Sequence, residues 1–564
     1  MGNIRRAARE TTDRQVDLTP RVSVLTTVFD PEPAHLAACL ASVDAQTFTA
    51  WEHVVVDDAS TNMAIIELLK QNLRQNRRTT RRQSNGGIVA ASSVALQESL
   101  GEIVVLVDHD DVLEPHALER VVSTFDAGGN AVDVVYSDHD ILRSDGRTTT
   151  PVYKPDFSLE RLRNHNYITH LVAARRTAVV AAGGFCVGFD GAQDHDLLLR
   201  LAETGKAFAH IPEVLLHWRQ APASVAADVG NKVYAFESGR RAVAAHLERS
   251  GIEATVDHGD HAGIYRIRRK VASGQRVSVI VPTRGSRGRV WGVERIFVHE
   301  AVASILGDPS DCEIEIVAVL DSGTDPVVER GLRRIAGDAL RVVHYEAPFN
   351  FSTKINLGVS ASSGDLLLLL NDDTEVLAPG SIDEMVALAQ DPAVGMVGAK
   401  LLFGDGRLQH GGHVYNGVVS HALLGWPGDH PGPNRLLAVE RECAGVTAAA
   451  ALVPRSVHNE VGAMDPSFAI NYNDVDYSLR IRATGRRIVW TPHACWYHFE
   501  HGSEPTSVSK AERELLEARW GEDLRRDPFY NPNLEPNRVD WLERPLMSGA
   551  PPYEVLPDGR LSWG

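Results

Sequence analysis

The chain has 564 residues, 43 % of them hydrophobic and 23 % charged, with a formal net charge of -17 at pH 7. That length exceeds what one hydrophobic core supports, so two or more domains are expected. The acid excess argues against general nucleic-acid binding, which needs a basic footprint.

No apolar run approaches the ~20 residues that span a bilayer. The polar, mixed-charge stretch 1–20 has no apolar centre like that of a secretory signal and reads as a flexible N-terminal arm. Five scattered cysteines (Cys39, Cys186, Cys312, Cys443, Cys495) without Cys-X-X-Cys spacing suit a reducing compartment, and neither a disulfide framework nor a zinc site. The expected location is the cytoplasm, including the inner face of the plasma membrane.

Arg21 to Val28 is rich in β-branched residues and predicts a buried strand, followed by a helical stretch around Leu36–Val43. Trp51 to Asp58 predicts a second strand, ending in two acids, and Ile65–Leu73 has helical spacing. Arg74 to Arg82 holds five arginines in nine residues and reads as a solvated face, with an anionic-membrane or acceptor contact as the alternative. After Asn85-Gly86-Gly87, a helix over Ala90–Leu100 leads into a strand that ends on Asp108-His109-Asp110-Asp111. A further strand closes on Asp138. A loop-rich piece with Lys154-Pro155-Asp156 follows, then a helix opening on Gln193-Asp194-His195-Asp196, and a strand ending Leu216-His217-Trp218-Arg219. Strands alternating with helices at these lengths predict a parallel, doubly wound sheet.

Asn231–Ser250 reads as a helix and Ala254–Arg269 as strand-like, together a connecting element. Then the pattern restarts. Val277-Ser278-Val279-Ile280-Val281-Pro282-Thr283 echoes Val22 to Thr27, and Ile314 to Asp321 echoes the strand that ends at Asp58. Leu366 to Leu370 has no polar face, so it predicts a strand buried on both sides, and it stops on Asn371-Asp372-Asp373. Asn473-Asp474-Val475-Asp476 answers Gln193 to Asp196, and Trp496-Tyr497-His498 answers Leu216-His217. From Asp194 to His217 is 23 residues, and from Asp474 to His498 is 24. A loop around Gly425–Asn434 lengthens the second copy. A whole catalytic-sized unit is duplicated.

Acids often simply end a strand or cap a helix, so neither landmark means much alone. Their repetition in the same order does. In an open α/β sheet, ligands bind beyond the carboxyl ends of the strands. A strand-end carboxylate with a histidine and open positions suits Mn²⁺ or Mg²⁺ completed by phosphate oxygens. A helix-start aspartate facing the same cleft suits a general base for a hydroxyl. Asp58 and Asp321, ending earlier strands, suit a nucleotide base. The sum is activation of a nucleotide-linked group for displacement by an alcohol.

Val54-Val55-Val56-Asp57-Asp58-Ala59-Ser60, Leu106-Val107-Asp108-His109-Asp110-Asp111 and Gln193-Asp194-His195-Asp196-Leu197 in the first copy carry a family resemblance. So do Leu370-Asn371-Asp372-Asp373-Thr374-Glu375, Gly398 to Gly412 and Asn473-Asp474-Val475-Asp476-Tyr477 in the second. Both copies, over roughly 22–225 and 277–505, resemble the inverting glycosyltransferases of family 2, in a tandem arrangement like that of bacterial enzymes for O-antigen and other cell-surface polysaccharides. The resemblance implies an α/β fold class with two GT-A (nucleotide-diphospho-sugar transferase, Rossmann-like) domains, at 21–228 and 276–505. A linker of a helix plus strands at 229–275 and a helical, Pro-rich C-terminal extension at 506–564 complete the expected plan.

Carried over residue by residue, the resemblance implies one Mn²⁺ or Mg²⁺ per domain, held by Asp110 and His217 in the first and by Asp373 and His498 in the second. Asp194 and Asp474 become the bases. Thr27, Asp57, Asp58, Asp108, Pro282, Thr283, Asp321 and Asp372 become nucleotide-sugar contacts. The donor implied is a UDP- or dTDP-linked hexose or deoxyhexose, and the acceptor a lipid-linked or growing glycan at a membrane surface; an oligomer is compatible with this, and no nucleic acid is expected. Asn371 departs from the first acid of Asp-X-Asp, and Ser93 from the usual asparagine, but no expected base or ligand is lost, so both units are expected to be active. A reading with one active unit and one carbohydrate-binding module stays open. A phosphatase is disfavoured because two strand–helix units precede the acids, and a nicotinamide oxidoreductase because neither first strand is followed by Gly-X-Gly-X-X-Gly.

Overall fold

The computed structural model describes residues 19–149, 151–219, 233–500 and 509–543, together with two short strands, Tyr553–Val555 and Leu561–Trp563. Most of the expected arm and the expected boundaries at 228 and 505 lie outside the described residues.

The first unit is built on β1 (Val22–Val28), β2 (Trp51–Asp57), β3 (Arg77–Arg81), β4 (Ile103–Leu106), β5 (Val112–Leu113), β6 (Val132–Leu142), β7 (Val172–Arg175) and β8 (Ala207–Arg219). The second is built on β9 (Arg276–Thr283), β10 (Glu313–Asp321), β11 (Leu340–Tyr345), β12 (Leu366–Leu370), β13 (Thr374–Val376), β14 (Val394–Leu402), β15 (Ala450–Pro454) and β16 (Arg487–His498). Strand order is β3-β2-β1-β4-β7-β6-β8-β5 in one sheet and β11-β10-β9-β12-β15-β14-β16-β13 in the other. The two orders are the same, strand for strand.

The expected parallel pairing holds for β3-β2-β1-β4 and for β6 with β8, but β7 runs antiparallel to β4 and β6, and β5 antiparallel to β8. Each sheet is therefore mixed, a common state for sheets this large. Helices cover both faces. The five leucines of β12 are all buried and alternate between two hydrophobic layers, Leu366, Leu368 and Leu370 on one side and Leu367 and Leu369 on the other. Each such side chain contributes about 1.5–3 kcal/mol of burial. That fixes where the strand ends, and with it the position of Asp372 and Asp373.

The arginine run contains β3 and is solvated in part: Arg74, Arg78 and Arg81 are exposed, but Arg77 is buried against Asp44 at 2.8 Å and His53, and Arg78 pairs with Glu52, Arg81 with Asp57 and Arg82 with Asp58. The connecting element is a helix (Val233–Arg249) and a hairpin (Ala254–His258 with Tyr265–Arg269), whose Val243, Leu247, Val256 and Ile267 join the core of the first unit. The chain after Ser509 forms a helix only to Trp520. Beyond it the tail crosses both units: the Asp527 carboxylate accepts the Tyr415 N–H at 2.9 Å, while Asn531 donates to Asp138 at 2.8 Å and Asn533 to the Pro212 carbonyl at 2.7 Å.

An ion network closes the seam between the units. Glu160 of the first receives Arg163 at 2.6 Å, Arg269 at 2.6 Å and Arg487 at 3.1 Å, and Arg269 and Arg487 also reach Glu440 at 2.6 Å and Glu442 at 2.7 Å. Burial would raise the Glu160 pKa, but the surrounding guanidiniums hold it far below the ordinary carboxylate range.

Candidate active sites of the two units

In the second unit the landmarks converge. β12 ends on Asn371-Asp372-Asp373, and β13 pairs with β16 so that Thr374 lies opposite His498. His498 Nε2 stands 3.2 Å from Asp373 Oδ1, and the Asn371 amide donates to the same nitrogen at 3.1 Å. The other ring nitrogen, Nδ1–H, donates to Gln409 Oε1 at 2.6 Å, which turns Nε2 toward the carboxylate. Asp372 accepts the Thr283 hydroxyl at 2.6 Å; its burial, with Asp373 beside it, pushes its pKa up to about 6. Lys354 donates to the Thr283 carbonyl at 3.3 Å and pairs with Asp321 at 2.7 Å, so four expected or adjacent donor-side groups share one corner, at the carboxyl end of β9 that begins with Pro282 and Thr283. Gln409 and Lys354 carry no motif of their own. Gln409 lies within the Gly398 to Gly412 run, and Lys354 gave no signal in the sequence.

Asp474 opens the helix Asn473–Ala483, where the helix N-terminus favours a carboxylate. Its Oδ2 accepts the Ala448 N–H at 3.3 Å. Loss of water pushes its pKa up, and His421 and Thr447 work against that shift. Three more imidazoles lie close by. The strands Leu408–His410, His413–Tyr415 and Val419–His421 bring His410, His413 and His421 together, with ligand nitrogens all within 4.8 Å of one another. Burial pushes His413 and His421 down to about 3, so both are neutral.

The first unit differs at the corresponding point. The expected ligand His217 is buried, and its ring nitrogens bond Asp140 Oδ1 at 2.7 Å and Glu114 Oε1 at 3.0 Å. Burial alone would lower its pKa, but these two carboxylates push it up to about 9, and they occupy both ring nitrogens of His217. The cause is register. β5 pairs with β8 as Val112 with His217, and β13 pairs with β16 as Glu375 with Tyr497. His217 thus occupies the place of Tyr497, and Trp218 that of His498. A one-residue slip along a strand turns a side chain to the other face. The intervals of 23 and 24 residues already contained this offset, since Asp194 to Trp218 is 24.

A different histidine lies beside the strand-end acids of the first unit. His170, just before β7, has Nε2 3.9 Å from Asp108 and Nδ1 3.9 Å from Asp111, and its ring packs against Trp218 at 5.6 Å. Asp108, Asp111 and His170 have ligand atoms within 4.8 Å of one another, and Asp110 is not among them. Asp111 is fully buried: one oxygen accepts the Arg219 N–H at 3.0 Å, and the other has no hydrogen-bond partner. Burial, with Asp108 and Asp110 adding to it, pushes its pKa well up. An orphaned carboxylate oxygen beside a second carboxylate and an imidazole fits a Mn²⁺ or Mg²⁺ ion, as do Asp373 and His498. In the second unit Ala449 takes the place of His170. Buried Lys154 steadies the His170 segment, donating to the Ile168 carbonyl at 2.5 Å and to that of His170.

Asp194 opens the helix Gln193–Ala202 and accepts the Asn166 amide at 2.8 Å. Thr27 gives its carbonyl to His109 at 3.1 Å. Asp58 accepts the Gly87 N–H at 2.9 Å besides Arg82, and Asp57 accepts the Ser60 N–H at 2.8 Å besides Arg81.

Residues 23–187 match the model of glycosyl transferase family 2, and residues 275–522 match that of the glycosyltransferase-like family 2. The chain is 36 % identical over 546 residues to uncharacterized protein y4gI of Sinorhizobium fredii, covering 94 % of this chain and 59 % of the relative. It is 34 % identical over 543 residues to O-antigen biosynthesis protein RfbC of Myxococcus xanthus, covering 95 % of this chain and 42 % of the relative. It therefore spans about half the length of these curated relatives. Among solved structures, S. aureus TarS 1–349 in complex with UDP-GlcNAc is 19 % identical at a TM-score of 0.33, covering 40 % of this chain and 66 % of that one. Among the described residues no helix is long and apolar enough to cross a membrane. With two matched units on two sheets of one strand order, the chain belongs to the family 2 glycosyltransferases and carries two of their GT-A domains in tandem.

Proposed function

We propose that the chain is a metal-dependent, inverting glycosyltransferase with an active site in each unit. It transfers sugars from UDP- or dTDP-linked hexose or deoxyhexose donors to a hydroxyl of a growing, lipid-linked cell-surface glycan. The domains divide at 21–228 and 276–505, and between them the helix Val233–Arg249 and its hairpin pack on the first. The observation that carries this reading is the 3.2 Å approach of His498 to Asp373 at the end of a fully buried strand, in the unit that also holds Asp474. The name of the Myxococcus xanthus relative, an O-antigen biosynthesis protein, supports the polysaccharide.

In the second unit Asp373 and His498 hold the cation, and Thr283, Asp321, Asp372 and Lys354 take the nucleotide end of the donor. A bound Mn²⁺ or Mg²⁺ supplies positive charge to the leaving diphosphate. Asp474 accepts the proton of the acceptor hydroxyl as its oxygen bonds to the anomeric carbon. The bond from that carbon to the diphosphate breaks on the opposite face, its electron pair leaving with the diphosphate, so the configuration inverts. The first unit uses Asp108, Asp111 and His170 for the cation, with Asp110 alongside, Asp194 as base, and Thr27, Asp57 and Asp58 toward the nucleotide.

A second reading keeps catalysis in the second unit and makes the first a carbohydrate-binding module; Trp218 at the place of His498 favours it. The test is product analysis with a panel of nucleotide sugars, Mn²⁺ and then EDTA. The proposal expects EDTA-sensitive transfer with inverted anomeric configuration, and loss of one linkage in Asp194→Asn and of another in Asp474→Asn. Retained configuration or EDTA-resistant transfer would contradict it. Loss confined to Asp474→Asn would establish the second reading.

A further inference from the structure

The three histidines beside Asp474 are not used by the mechanism above. Their rings form a near-equilateral triangle, with centroids 5.2 Å (His410–His413), 4.8 Å (His410–His421) and 5.2 Å (His413–His421) apart. Three imidazoles on one tetrahedral ion at Zn–N distances of ~2.0–2.1 Å place their centroids about 5 Å apart. His410 and His413 are buried. The Nδ1 atoms of His410 and His421 face each other at 2.5 Å, closer than two imidazole nitrogens come without a proton or a cation between them. About 1 Å of opening brings them to the separation of two ligands on one such ion.

The surroundings orient the donors. His413 Nδ1 lies 3.1 Å from the Tyr415 hydroxyl, which leaves Nε2 as the free nitrogen, and that nitrogen points toward Asp474 Oδ2 at 3.9 Å. Such an outer partner fixes the tautomer of a metal-bound histidine. The Thr447 N–H donates to His410 Nε2 at 3.3 Å, a long bond that yields when Nδ1 takes the ion and the proton moves to Nε2. Counting from the shared Asp-Gly-Arg of the two units (Asp145-Gly146-Arg147, Asp405-Gly406-Arg407), Tyr153 stands in the first where His413 stands in the second. The cluster belongs to one unit alone.

We propose that His410, His413 and His421 form a second metal site, for a borderline divalent ion of the Zn²⁺ type, with its fourth position facing Asp474. All-nitrogen ligands select such an ion over Mg²⁺ or Mn²⁺, which the carboxylate-containing site at Asp373 suits. The two sites are chemically distinct and sit one residue apart in the chain, since Gln409 holds His498. The ion ties the strands Leu408–His410, His413–Tyr415 and Val419–His421 together against the helix that starts at Asn473, and puts its charge beside the proposed base.

The experiment is a titration of untagged, chelator-stripped full-length protein with Zn²⁺ alone, followed by calorimetry and thermal melting, and with Co²⁺ followed by visible absorption. The expected result is one tight Zn²⁺ per chain that survives Asp373→Asn, and a four-coordinate Co²⁺ spectrum. His410→Gln and His421→Gln each weaken Zn²⁺ by at least about 10–100-fold, the loss that even an outer partner's removal brings. His421 is only half-buried, so His421→Gln should melt like the wild type without metal while losing the Zn²⁺-dependent rise. Zn²⁺ binding unchanged in both glutamine variants, or abolished by Asp373→Asn, would overturn the proposal, as would a six-coordinate Co²⁺ spectrum.

Discussion

The two units share a strand order and a pairing scheme, yet they bring their site histidine from different strands. In the second, His498 arrives on β16 and Ala449 leaves room for it. In the first, Trp218 fills the β8 position and His170 arrives from the approach to β7. The sheet fixes where the rim of the site is. It does not fix which rim position supplies the imidazole, because any strand end that reaches the strand-end carboxylates will serve. His217, the residue that looks like the counterpart of His498, is hydrogen-bonded between Asp140 and Glu114 instead.

The largest effect that tests this comparison concerns the bases, which the two units place alike. Asp474→Asn and Asp194→Asn should each lower their own transfer by about 10²–10⁴, the usual contribution of a general base. Linkage-resolved product analysis checks this, and loss of both linkages from one substitution would break the equivalence of the units. Next is the seam. Glu160→Ala leaves Arg269 and Arg487 partly unpaired and should cost about 3–5 kcal/mol, as breaking a buried ion pair does. Calorimetry should show both units destabilised together, because the network belongs to both; a shift in one unit's melting alone would contradict it.

His217 gives a pH signature. Its folded pKa of about 9 lies above the unfolded ~6.5, so its stabilisation is fully present below pH ~6.5 and is lost as pH rises through about 9. The loss is on the order of 3 kcal/mol, and denaturant unfolding across that window should show it. His217→Gln should remove that slope and leave donor binding intact. The smallest effect sharpens the register argument most. In a His170→Ala background, Trp218→His moves the imidazole to the place of His498, and should recover metal-dependent donor binding by about tenfold, within the range that single ligand-shell changes produce.

Much of this was legible in the sequence, and the limits have physical causes. The duplication, the double-sided burial of Leu366–Leu370 and the acids at Asp373 and Asp474 were readable because strand and helix periods are written directly in hydrophobic spacing. The Asp373–His498 pairing followed from them. Antiparallel β7 and β5 were not readable, since a short buried strand looks the same in either direction. The surroundings of His217 were not readable, because strand-end placement depends on a one-residue register and the 23-against-24 spacing was the only trace of it. His170 sits in no motif and reaches Asp108 and Asp111 from a loop. The ion pairs of Arg77, Arg78, Arg81 and Arg82 were not readable because their partners Asp44, Glu52, Asp57 and Asp58 lie on other elements, which only the folded sheet brings alongside.

The central claim is that each unit binds its donor through a cation held by its own histidine, His170 in one and His498 in the other. Calorimetric titration of the full chain with nucleotide sugar and Mn²⁺ tests it most directly. The account predicts two metal-dependent donor sites per chain, one lost in His498→Ala, the other lost in His170→Ala, and both kept in His217→Gln. Loss of a site in His217→Gln with none lost in His170→Ala would contradict it.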